Sequence, residues 1–78
     1  MLRLEIDRVA DAAYVALRNR PVKSTKELDS QRRVDYDEKG ELVGIEFLAV
    51  SQGVDLSDLP HRDRLADLFG EHQIPIFA

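Results

Sequence analysis

Residues 33–50 restrict the fold more than any other stretch of this chain. Arg33-Val34-Asp35-Tyr36 leads into the acidic bend Asp37-Glu38-Lys39-Gly40, and Glu41 to Val50 follow as a long β-prone run. Two such runs around a short bend ending in glycine predict a hairpin, with Gly40 supplying the left-handed residue of a bulged loop. Val34 and Tyr36 then share a face with Val43, Ile45 and Phe47. The second run is apolar on its other face too, through Leu42, Leu48 and Val50. A strand with two apolar faces is normally covered on both sides.

The same period of two recurs upstream. Leu2, Leu4 and Ile6 alternate with Arg3, Glu5 and Asp7, which predicts a strand over 2–7. Asp7 and Asp11 are placed to bond backbone N–H groups in the turn that follows. Ala13, Val15 and Leu17 then alternate with Tyr14, Ala16 and Arg18 until Asn19-Arg20-Pro21 stops the strand. Val22, Ser24, Lys26 and Leu28 fit a polar edge strand. After Gly53 the period changes. Leu65, Leu68 and Phe69 form one stripe of an amphipathic helix over residues 60–70, with Ser57 or Asp58 as cap, Pro60 in the first turn and Gly70 as the stop. Ile74-Pro75-Ile76-Phe77 reads as an extended tail, confined by its proline to an edge or a docked position. The expected fold is α+β: a small, mainly antiparallel sheet of four to five strands with a central β-hairpin, one C-terminal helix and a short extended tail. A single domain is expected over residues 1–78, with the sheet core at 2–51 and the helix and tail at 52–78.

Composition narrows the partners. Seventy-eight residues with 44 % hydrophobic and 33 % charged side chains suit one small soluble domain. Such a domain buries only roughly 60 % of its unfolded surface, so self-association would add stability. With no cysteine the chain has no disulfide framework, zinc ribbon or thiol nucleophile. Eleven Lys and Arg against fifteen Asp and Glu leave a net charge of −4, which opposes attraction to phosphate backbones and anionic membranes. Nucleic acid is therefore not expected as a partner. The longest uncharged stretch, Phe47 to Val54, falls far short of the ~20 residues of a spanning helix. The alternating N-terminus lacks a continuous apolar signal segment, so a cytoplasmic location and no membrane partner are expected.

Two of these stretches resemble a family of small bacterial and archaeal proteins, the YuzE-like domain-of-unknown-function family 2283. Ile6-Asp7-Arg8-Val9-Ala10-Asp11-Ala12-Ala13-Tyr14-Val15 is similar to its early "YD-x-x-ADALYI" pattern. Val34 to Leu48 is similar to "V-DYDEDGRLVGIEIL". The resemblance covers about residues 2–51, with Ile6 where tyrosine is usual and Ala13 where leucine is. It implies a compact antiparallel sheet with little helix and brings no catalytic activity. Some members lie beside small toxin-like genes, which implies an antitoxin role.

Several constellations suggest chemistry, and each has a plainer reading. Asp35, Asp37, Lys39, Gly40 and Glu46 match ligand and glycine positions of a calcium loop, with Leu42 at its apolar eighth place. Lys39 puts a cation where an oxygen ligand belongs, and the flanks alternate like strands, so a hairpin turn is expected instead. Glu5, Asp7, Asp35, Asp37 and Glu46 would converge if their strands were neighbours, forming a cation or acid–base site; otherwise they are a solvated face. His61 and His72 lie eleven residues apart, the wrong spacing for a helical metal pair, and are expected at helix ends. Ser57, His61 and Asp63 draw a triad on paper, but Ser57 serves better as a cap. The basic pairs Arg18/Arg20 with Lys23, Arg32/Arg33 and Arg62/Arg64 read as ordinary surface charge. Arg32 shares parity with Val34 and Tyr36, so it is expected at the sheet margin beside an acidic partner.

No catalytic residue, cofactor or metal is assigned. The expected function is a non-enzymatic β-sheet interaction domain that self-associates through Tyr14, Ala16, Leu42, Leu48 and Val50, because that row cannot lie under the same helix that covers Leu4, Val15 and Ile45. One alternative is an acidic, antitoxin-like subunit that neutralises a small basic toxin partner. Another is a divalent-metal-dependent hydrolase using the strand carboxylates.

Overall fold

The computed structural model describes residues 2–78, leaving Met1, the first residue of the expected domain, outside the described residues. The chain forms two compact units, Met1–Leu48 and Ala49–Ala78.

The first unit is a five-stranded sheet of β1 (Arg3–Asp7), β2 (Ala12–Ala16), β3 (Ser24–Asp29), β4 (Arg32–Tyr36) and β5 (Leu42–Leu48). Its order is β1-β2-β5-β4-β3, with every neighbouring pair antiparallel. The strand with the most buried residues, β5, lies at the centre, and the two edge strands, β1 and β3, contain no buried residue. This is the distribution expected when central strands are covered and edge strands must resist further pairing. All six residues of β3 are exposed, as the polar edge reading requires. Ala13, Val15, Val34, Val43, Ile45 and Phe47 are buried, and full burial of a side chain such as Ile45 or Phe47 contributes about 1.5–3 kcal/mol.

The central hairpin forms where the acidic bend predicts it. Gly40 adopts φ 79°, Asp37 N–H donates to Glu41 O at 2.9 Å, and Gly40 N–H donates to Asp37 O at 3.0 Å. In the turn between β1 and β2, Asp7 makes the expected bond, its Oδ1 accepting from Ala10 N–H at 3.0 Å, and Asp11 lies in the left-handed region. One detail differs. A register shift next to Tyr36 sets Asp35 opposite Gly44 but Tyr36 opposite Leu42, leaving Val43 as the extra residue. Directly opposed residues lie on one side of a sheet, so the bulge turns Leu42 to the face of Tyr36 and out of the row of Gly44, Glu46 and Leu48.

The second unit starts with a 3-10 turn, Val50–Gln52, and contains one helix, α1 (Arg62–Glu71). Both predicted ends of that helix are displaced. Ser57 does not cap it, because its N–H and hydroxyl both donate to Asp55 Oδ1, at 2.9 and 2.5 Å, in a local turn. Pro60 lies before the helix, and His61, at φ 58°, occupies the cap position with no side-chain cap bond. Asp58 also has positive φ and lies outside the helix. Gly70 does not stop the helix either. The chain continues until Gln73 takes the left-handed position, with Ile74 N–H on Phe69 O at 2.9 Å and Gln73 N–H on Gly70 O at 3.1 Å. These two bonds and the buried Phe69 and Ile74 make a Schellman ending three residues beyond the expected glycine. The tail docks as a parallel bridge between Val54 and Ile76, held by Val54 N–H to Pro75 O at 2.8 Å and Phe77 N–H to Val54 O at 3.0 Å. Among the described residues no helix is long and apolar enough to cross a membrane.

Candidate functional site: the Tyr14 face of the sheet

Strand order decides which of the singled-out side chains meet. Tyr14 is paired with Glu5 on one side and Glu46 on the other, and Glu46 is paired with Arg33. Because opposed residues share a side, Glu5, Tyr14, Glu46 and Arg33 form one row across four strands, each ~4.7–4.9 Å from the next. Arg33 Nη1 contacts Glu46 Oε1 at 3.5 Å, and Arg3 contacts Glu5 at 3.2 Å, both between exposed side chains.

Tyr14 does not stand upright in this row. A Cβ added to Gly44 would sit 1.9 Å from Tyr14 Oη and 2.3 Å from its Cζ, so the ring lies over the backbone of Gly44. The missing side chain is what lets the phenol cross β5 and donate to Asp35 Oδ2 on β4 at 2.9 Å. Thr25 on β3 donates to the other oxygen, Asp35 Oδ1, at 2.6 Å. A polar chain thus links β2, β4 and β3 over the central glycine. Burial raises the Tyr14 pKa to about 12, assisted by the hydrogen bond to Asp35 and then by the charges of Asp35, Glu46 and Glu5. The phenol is held as a neutral donor, not poised as a base.

Beside this ring a groove of about 310 Å³ is lined by Glu5, Ile6, Asp7, Ala10, Ala12, Ala13, Tyr14 and Glu46. Three carboxylates thus line one groove with Tyr14 and small apolar residues. The arrangement suits a long cationic side chain, with its stem on Tyr14 and Ala12 and its charge near Glu5 and Glu46.

The residues singled out from sequence are only partly brought together. Tyr14, Ala16 and Leu48 share this face, but Ala16 is already buried. Leu42 is turned away by the bulge, and Val50 is buried in the 3-10 turn of the second unit. Of the carboxylates, Glu5, Asp35 and Glu46 lie around Tyr14. Asp37 belongs to the turn, where its Oδ1 accepts N–H groups of Lys39 and Glu41, each at 2.9 Å. The Glu41 N–H lowers the Asp37 pKa most; burial opposes it, and the Lys39 N–H and Arg20 add to the lowering. Among the described residues no group of three or more His, Cys, Asp or Glu side chains is arranged to hold a metal ion. His61 and His72 lie at opposite ends of α1, and His72 Nδ1 is 2.9 Å from Leu68 O. Arg32 pairs with Asp29 at 2.9 Å with 11 % of its side chain exposed, as its place on the buried row requires. Sequence reasoning missed Thr25 and Gly44, which lie opposite Asp35 on β3 and β5; alternation gives a residue's face, and only strand order and register bring these three together.

These features define a small α+β protein built on one antiparallel sheet, one face of which is organised around a tyrosine. The chain belongs to the family described as Protein of unknown function (DUF2283), whose profile matches residues 3–51. Tyr14, Asp35, Gly44 and Glu46 all fall within that match. No curated protein and no solved structure matches the chain.

Proposed function

We propose that this chain is a non-enzymatic interaction domain that receives a basic segment of a small protein partner on the Tyr14 face of its sheet. The observation that carries this reading is the groove that Glu5, Asp7 and Glu46 line together with Tyr14. The neutral phenol, held by Asp35, offers a fixed aromatic wall, and the net charge of −4 steers a cationic partner toward the surface. An antitoxin-like subunit that masks a basic partner is one form of this function.

Titration of the labelled protein with a short lysine- and arginine-containing peptide tests it. Amide shifts are expected at Glu5, Tyr14 and Glu46, reversed by added salt and lost in a Glu5→Gln, Glu46→Gln double variant. Shifts that survive both treatments, or none at those positions, overturn the reading.

Self-association is the second reading, supported by the half-buried Tyr14 and Leu48 on the same face. The carboxylates around Tyr14 oppose the approach of a second acidic copy, which places this reading behind the first. Sedimentation at tens of micromolar separates them, because a monomer there removes self-association and leaves the basic-segment reading intact.

A further inference from the structure

The turn that joins β4 to β5 contains an acceptor its own folding does not use. Asp37 closes the turn entirely through Oδ1 and its backbone groups. Its other oxygen, Oδ2, is buried and has no hydrogen-bond partner, and only 4 % of the side chain is exposed. The nearest cation, Arg20 Nη1, lies 3.7 Å away, outside hydrogen-bond range. Withdrawing a carboxylate oxygen from water without a donor is costly, so an occupant that supplies one gains that cost back.

Asp37 also lines a cleft of about 260 Å³ between the β2–β3 loop and the β4–β5 turn, together with Arg20, Pro21, Val22, Lys23 and Glu38. This is below the ~300–1,000 Å³ typical of sites for drug-sized ligands, so it suits a smaller molecule. The wall carries two cations and two carboxylates, favouring neither a simple anion nor a simple cation. Pro21 and the half-exposed Val22 add a short apolar surface.

We propose that this cleft binds a small zwitterion of the aliphatic α-amino-acid class. Its ammonium group donates to Asp37 Oδ2, its carboxylate lies between Arg20 and Lys23, and its side chain rests on Pro21 and Val22. Each end of the ligand meets the charge it needs only if both are present on one molecule, which is the source of selectivity. No bond is made or broken.

The test is an NMR titration of the whole chain with L-valine, alongside isobutylamine and isovalerate, which carry one charged end each. Saturable shifts are expected at residues 20–23 and 37–41 with L-valine, and at least tenfold weaker binding of either half-ligand. Asp37→Asn keeps the Oδ1 acceptor of the turn while replacing the unused oxygen by a donor. It should remain folded and lose L-valine binding at least tenfold. Lys23→Gln, at an exposed side chain, should weaken L-valine while leaving the response to isobutylamine unchanged, so it decides the matter if Asp37→Asn fails to fold. The proposal is overturned if L-valine produces no local shifts, if a half-ligand binds as well, or if binding ignores both substitutions.

Discussion

At the scale of single residues, the sheet depends on a vacancy. Gly44 has no Cβ, and the Tyr14 ring fills that space to reach Asp35. Gly44→Ala must push the ring off its seat and break the Tyr14–Asp35 hydrogen bond. Overpacking and a lost bond to a charged group together predict a loss of about 2–4 kcal/mol, read as a lower urea midpoint. The same variant should move the tyrosine titration. Absorbance at alkaline pH should show Tyr14 ionising near 12 in the native chain and closer to 10 in Gly44→Ala, where the ring leaves its buried seat and its acceptor; Asp35→Asn removes only the neighbouring charge and leaves the burial, so it should lower the value less. Parity in the sequence was enough to place Tyr14, Asp35 and Gly44 on the same kind of face. It could not bring them together, because residues 14 and 35 meet only through the order β2-β5-β4, and alternation carries no information about order.

At the scale of elements, period-two runs were legible wherever the two rows differ in exposure, as in β1, where half-buried Leu4 and Ile6 alternate with exposed Arg3, Glu5 and Asp7. The bulge in β5 was not. One extra residue reverses parity across it, so Leu42, before the bulge, leaves the row of Gly44, Glu46 and Leu48, and the apolar Leu42-Val43 pair gives no sign of the change. The ends of α1 were misread for a related reason. Ser57 finds a nearer acceptor in Asp55, and Gly70 is overrun because the two bonds that end the helix, from Gln73 N–H to Gly70 O and from Ile74 N–H to Phe69 O, have their donors beyond it. That ending makes Gln73 adopt φ 59°, a conformation costing a side-chain-bearing residue roughly 1–2 kcal/mol, against the ~0.5–1 kcal/mol of entropy a glycine gives up. Gln73→Gly should therefore stabilise the chain by about 0.5–1 kcal/mol, raising the urea midpoint without changing the slope. A midpoint that falls would show that the glutamine side chain contributes more than its strained backbone costs.

At the scale of the whole molecule, the perturbed groups define a pH window for stability. Asp37 and Asp29 both have lowered values, Asp37 chiefly through the Glu41 N–H and Asp29 chiefly through the Gln31 N–H. Below their ordinary value of 3.8 the unfolded chain takes up protons that the folded chain resists, so their contribution is complete above about pH 4 and is lost as pH falls through the folded values. Tyr14 acts in the opposite sense. Its folded value of about 12 exceeds the ordinary 10, so the folded chain keeps a proton that the unfolded chain releases, and that contribution is lost as pH rises from 10 to 12. Unfolding midpoints measured across pH should thus show a plateau with one shoulder on each side, and two substitutions assign the shoulders. Tyr14→Phe cannot ionise and should remove the alkaline shoulder while lowering the plateau, because Asp35 Oδ2 loses its phenol donor. Asp37→Asn keeps the turn acceptor but cannot take up a proton. Its curve should lie below the native one near neutrality and converge with it in acid, where the native Asp37 has itself become neutral. Curves that stay parallel to the lowest pH would place the acid sensitivity elsewhere and reduce Asp37 to a neutral turn residue.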